Sequence, residues 1–198
     1  MKVASKLAVL AGVSGLTFGG FGGVAWAGGN GAQTFTQHAH GSDAAGLVVL
    51  DFNPNSPNNS GGPTAPEGCW LSQDDALVST VGNAVAHGIG NKTGFWFTTT
   101  YTGQADVWPL VLDSNGNPID DGTGNHNDAV DTSGTPLAAG HLTIWFGQED
   151  NNKNGVTHAT VSFNGVDANG TPVSLTGHFQ FATNAKGDVT VASGNISC

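Results

Sequence analysis

The 198-residue chain has no arginine and only five lysines, set against fifteen Asp and Glu and a formal net charge of −10. Without guanidinium forks it cannot grip phosphates bidentately, and its acidity repels phosphate backbones and anionic headgroups. Nucleic acid is therefore excluded as a partner. There are two cysteines, Cys69 and Cys198, and no CxxC pair, which excludes a dithiol redox site and a disulfide-dense scaffold. No apolar stripe of helical period runs for about eleven residues or more, which excludes a helical domain. Catalytic signatures are also missing. There is no G-x-S-x-G, and the one local cluster of suitable residues, His40, Ser42 and Asp43, is too close in sequence to converge as a triad. Asp74-Asp75 and Asp120-Asp121 are adjacent carboxylates, which on a strand point to opposite faces.

The first 27 residues have the three parts of an export signal. Lys2 and Lys6 precede an apolar stretch from Leu7 to about Val24, and Ala25-Trp26-Ala27 offers an A-x-A cleavage site. The stretch is long enough to serve instead as an uncleaved anchor, but its many glycines make a poor permanent span. Cleavage after Ala27 removes two lysines and no carboxylate, leaving Lys92, Lys153 and Lys186 as the positive charges. A released, extracellular product is expected, with no membrane contact once the leader is gone. In an oxidising compartment Cys69 and Cys198 suit a single disulfide, with two free thiols as the alternative.

From residue 28 onward the dominant pattern is alternation of period two, and the fold class it predicts is all-β. In the stretch 173–181, Val173, Leu175, Phe179 and Phe181 face one way, while Ser174, Thr176, His178 and Gln180 face the other. Similar strands are expected at 33–40, 46–52, 76–81, 83–89, 95–101, 106–112, 141–146, 156–163 and 189–192. Turn chemistry at Asp167 to Pro172 and Asn184 to Asp188 separates the last of them. About eight to ten short strands joined by hairpins imply one domain, residues 28–198, built as an antiparallel β-barrel or β-sandwich. Two stretches break the rhythm, at about 53–68 and 113–140. They lack the apolar residues that would favour ordering, and partly disordered surface loops are expected there.

The motifs Ile144-Trp-Phe-Gly147, Val161-Ser-Phe-Asn-Gly165, Asp167-Ala-Asn-Gly170, Gly177-His-Phe179 and Asn184-Ala-Lys-Gly187 lead to a terminal Cys198, and Gly94-Phe-Trp-Phe97 lies upstream. Together they resemble a group of small exported actinobacterial proteins with no assigned activity. The resemblance implies export and a Cys69–Cys198 bond, and it carries over no catalytic residue. In that group a cysteine follows an Asn-Pro pair; here Asn53-Pro54 precedes a longer insert before Cys69.

Three chemistries can be drawn from the residues. His38 and His40 project from one face of a predicted strand at about 7 Å, a spacing that suits two ligands of one metal, with solvated imidazoles as the simpler reading. Asp113, Asn115, Asn117 and Asp121 fall at positions 1, 3, 5 and 9 of a calcium-loop template. Pro118 then replaces its turn glycine and Gly124 its bidentate glutamate, so an ordinary turn explains the same residues. The strongest candidate is a polar face in which Trp96 and Thr98, His141 and Trp145, His158, and His178 stand on the side away from the core. Aromatic rings among hydroxyls and imidazoles suit stacking on a sugar or a small apolar ligand.

The function expected is a secreted, non-catalytic module for such a ligand, with no cofactor. A structural or surface-assembly protein acting by self-association is the alternative, and a metal-dependent or hydrolytic enzyme the third. Exported protein should begin at Gly28 and show no free thiol, and intact mass with and without reductant checks both. A retained leader, or alkylation of both cysteines before reduction, would break the compartment argument. Cys198→Ser should lower the unfolding free energy by about 4 to 5 kcal/mol, the chain-entropy value for so long a loop before native strain is subtracted.

Overall fold

The computed structural model describes residues 16–18, 32–46, 48–56, 64–91, 93–122, 128–151, 154–184 and 189–198. The strands are β1 (Leu16–Phe18), β2 (Gln33–Gly41), β3 (Val48–Asp51), β4 (Asp75–Asn91), β5 (Gly94–Pro109), β6 (Ala138–Asn151), β7 (Gly155–Asp167), β8 (Pro172–Thr183) and β9 (Val189–Ser197), with one 3-10 turn, Ser42–Ala44, between β2 and β3. All nine belong to one antiparallel sheet. The all-β antiparallel expectation therefore holds. Among the described residues no helix is long and apolar enough to cross a membrane.

Of the two expected architectures, barrel or sandwich, a closed barrel is not formed by the described strands. Among the described residues β9 pairs with β8 alone, and at the opposite side of the sheet β1 pairs with β3. The strands are also longer than expected. Stretches 76–81 and 83–89 are one 17-residue strand, β4, and 95–101 and the first part of 106–112 fall on the 16-residue β5, which ends at Pro109 while Leu110 and Leu112 make isolated bridges beyond it. β4 is the spine: one edge pairs with β5 along its whole length, while the other is shared by β3 near Val78 and by β2 from Gly82 to Gly90. The 3-10 turn between β2 and β3 buries Ala44 in the core. The Ser79 hydroxyl donates to the Ala44 carbonyl at 2.8 Å and accepts from the Val48 amide at 3.0 Å, which holds the turn in place.

A lone sheet has to bend to bury one of its faces. The bend is written in cross-strand glycine pairs, Gly82 with Gly103 and Gly140 with Gly165. At Gly82 an added Cβ would lie 2.6 Å from the Thr102 carbonyl oxygen, so no larger residue fits where the strands close on each other. A register shift between Ser79 and Val81 adds to the bend. The Tyr101 hydroxyl fills the dent and donates to the Gln104 carbonyl at 2.6 Å. Inside the curve lie Leu50, Leu77, Tyr101, Val107, Leu142, Ile144, Phe146, Val161, Phe163, Leu175, Phe179 and Phe181, all in one buried cluster.

The open side of the curve is crossed by the segment before β4. Cys69 is bonded to Cys198, just past β9, across a sequence separation of 129 residues. Beside it the Trp70 indole N–H donates to the Ser174 carbonyl of β8 at 2.6 Å, and its ring packs on Phe163 at 5.8 Å. The acidic loop after β5 is more ordered than expected in its described parts. Leu110 bridges to Val130, Leu112 to Pro118 and Asp120 to Asp128, and Leu110 joins Val49 and Ala76 in a second small apolar cluster. The loop's base thus covers the end of the sheet near β3. The leader junction after Ala27 and turn residues 185–188 lie outside the described residues; β1 lies within the stretch read as leader.

Tyr101 is the chain's one tyrosine and is buried. Burial pushes its hydroxyl pKa from 10.0 up to about 12, because the phenolate would have to form away from water. The folded state then holds a proton that the unfolded state releases, so stability falls as pH rises from 10.0 to about 12. Tyrosinate absorbance should titrate near 12 in the folded protein and near 10 in urea, and Tyr101→Phe should remove that limb of the stability curve. A folded-state midpoint near 10 would contradict the buried placement.

Candidate functional site

Strand alternation decides which side chains can form a site. With Leu142, Ile144 and Phe146 in the core, His141, Thr143 and Trp145 of β6 stand on the outer face, as the sequence predicts. The same rule puts His158 and Thr160 of β7, and His178 and Gln180 of β8, on that face. Register then sets their neighbours. Trp145 pairs with Thr160, Thr160 with His178 and His178 with Asn195, forming one row across four strands. The next row runs Gly147, His158, Gln180 and Ser193.

These two rows line a groove of about 650 Å³, with Trp145 at one end and Ser193 and Asn195 at the other. That volume lies within the ~300–1,000 Å³ of small-ligand clefts. The tryptophan does not stand upright. A Cβ placed on Gly147 would meet Trp145 Cη2 at 2.6 Å and Cζ2 at 2.9 Å, so the indole is folded over that glycine along the sheet. It remains 40% exposed. An indole lying flat and partly in water leaves a ring face on which a ligand could stack, and the imidazoles, hydroxyls and amides beside it carry donors and acceptors.

The other candidates are dispersed. Trp96 is on the outer face and 40% exposed. It lines a separate hollow of about 260 Å³ with Ile89, Thr93 and Glu149, and the His87 ring meets it edge-on at 5.8 Å. Trp96 and Trp145 thus share a face and line different grooves. Thr98 is half-buried beside Gly147, in the row between the two indoles. His141 lies further along β6, where its Nε2 is 3.2 Å from the Thr102 hydroxyl.

His38 and His40 stack on the outer face of β2, ring centroids 5.8 Å apart, and His40 Nδ1 is 2.8 Å from Asn83 Oδ1. Asp113 binds its own turn. Its carboxylate accepts from the amides of Asn117 at 2.9 Å and Asn115 at 2.8 Å, which hold its pKa below the usual carboxylate value, and Gly116 takes the positive φ. Asp167 makes the same turn with Thr171 and Asn169. Asn117 therefore contributes its backbone to the turn, and Asp121 follows the bridge at Asp120. Among the described residues no group of three or more His, Cys, Asp or Glu is placed to hold a metal. Asp74 accepts from Asn53 Nδ2, while Asp75 accepts from the Ser72 amide and burial raises its pKa; both brace the crossing segment.

The sequence reading passed over Gly147, Ser193 and Asn195. The predicted last strand stopped at residue 192, whereas β9 continues to Ser197, and the alternation Ser193, Asn195, Ser197 is visible in the sequence once the strand is extended. Comparison with protein-family models, curated proteins and solved structures finds no match to this chain.

Protein purified without chelator should carry less than one equivalent of zinc, copper or calcium by elemental analysis, and EDTA should leave its melting temperature unchanged. A tightly held equivalent would show that His38 and His40, or the Asp113 turn, rearrange around an ion.

Proposed function

We propose that this protein is an extracellular, non-catalytic binding module whose site is the outer-face groove of β6 to β9, and that its ligand is a glycan or a small apolar molecule. The observation that carries the reading is the flat, exposed Trp145 indole at the head of a groove lined by His158 and His178. Leaving an indole in water forfeits roughly 25 cal/mol for each Å² of apolar area that stays exposed, and a ligand that covers it recovers that stabilisation. The export-like first 27 residues and the disulfide support the extracellular setting.

Surface assembly is the second reading, favoured by β9, whose outer edge pairs with no strand among the described residues. Size in solution separates the two: a monomer that binds ligand supports the module, and a concentration-dependent oligomer supports assembly.

Trp145→Ala and His178→Ala should each abolish binding to a panel of extracellular glycans and small apolar molecules, with the far-ultraviolet spectrum and melting temperature preserved, since both side chains lie outside the core. Unfolding by Trp145→Ala would mean that the indole is structural and that the groove is not the site.

A further inference from the structure

Part of the outer face is free of formal charge along rows that cross six strands. A single register row crosses from β4 to β9 through His87, Thr98, Gly147, His158, Gln180 and Ser193. It contains no carboxylate and no amine, although the chain carries fifteen Asp and Glu. The row beside it, through Thr100, Trp145, Thr160, His178 and Asn195, is equally uncharged. Glu149 lies one row further out, opposite Trp96, beyond the groove.

Resting on the binding-module reading, we infer that the ligand is a neutral polysaccharide chain that lies across the strands along this double row, with one sugar ring stacked on Trp145. Three features argue for it. The rows hold no Lys, Arg, Asp or Glu, so a charged ligand meets no permanent counter-charge to offset its lost hydration. Hydroxyls, imidazoles and amides recur on β5, β7, β8 and β9, on either side of the Trp145 and Gly147 step of β6; an apolar ligand would cover them and leave them unpaired. A polyhydroxylated chain can pair them instead. The third feature is extent. Adjacent strands lie about 4.8 Å apart, so the steps from β4 to β9 span roughly 24 Å, which a chain of several pyranose rings fills and a single ring does not.

Gly147 is the positioning residue. Only hydrogen at this point leaves room for the indole to lie against the sheet with a face free for the axial C–H groups of a sugar; any side chain must lift the ring. Gly147 need not touch the ligand itself.

Cellulose and chitin serve as insoluble neutral probes, their soluble oligosaccharides as a length series, and pectin as an anionic control. Wild-type protein should be retained on at least one neutral polymer and not on pectin. Its affinity should rise with oligosaccharide length up to about five rings and stay unchanged by added salt. Gly147→Val should weaken binding about tenfold or more with the melting temperature preserved, as expected for a lost aromatic contact. Gln180→Ala, an exposed change that leaves the core untouched, should weaken the longer oligosaccharides and spare the shortest. Trp145-dependent binding of a different panel compound, without retention on a neutral polymer, would overturn this inference and leave the binding module standing. Affinity that salt lowers severalfold would do the same. No Trp145-dependent binding to any compound would overturn both.

Discussion

Cys69 and Cys198 join a segment that precedes β4 to the residue that follows β9, and with Trp70 they tie the two sides of the bent sheet together. Everything else follows from that tie. A single sheet has no second layer to cover its apolar face, so the face must be enclosed by curvature, and the glycine pairs at 82/103 and 140/165 provide it. The crossing segment then seals the concave side with Leu71 and Trp70. Among the described residues no second layer of strands or helices packs on the outer face of the sheet.

Enclosure by bending also leaves marks inside. Thr99, Gln148 and Thr157 point inward and are buried, and Thr99 Oγ1, Gln148 Nε2 and Thr157 Oγ1 have no hydrogen-bond partner among the described residues. Unpaired groups of this kind lower stability. The long disulfide-closed loop works in the opposite direction by restricting the unfolded chain.

Much of this was legible because alternation is local. Phe179 beside His178, and Phe146 beside Trp145, fix the face of each side chain from the sequence alone. Position along the strand is not local. Trp96 and Trp145 read as one site because they share a face, yet register sets Trp96 opposite Glu149 and Trp145 opposite Thr100, two rows apart. Gly82 reads as a break between two strands, whereas it is a bend within β4, since glycine punctuates turns and tight sheet bends alike. The calcium-like spacing from Asp113 depends on oxygens that the turn's own amides already engage. Nor could spacing show that Trp145 folds over Gly147, because the direction an indole takes depends on what its neighbours leave open.

The proposed role of the Trp145 indole as a ligand platform is open to a direct test in the indole N–H resonances of the folded, disulfide-bonded protein, recorded during titration with a soluble neutral oligosaccharide. The Trp145 resonance, assigned through Trp145→Phe, should shift in saturable fashion, while that of Trp70, hydrogen-bonded to the Ser174 carbonyl, should stay fixed. A Trp145 resonance that does not move at any concentration, or shifts confined to Trp70, would contradict it.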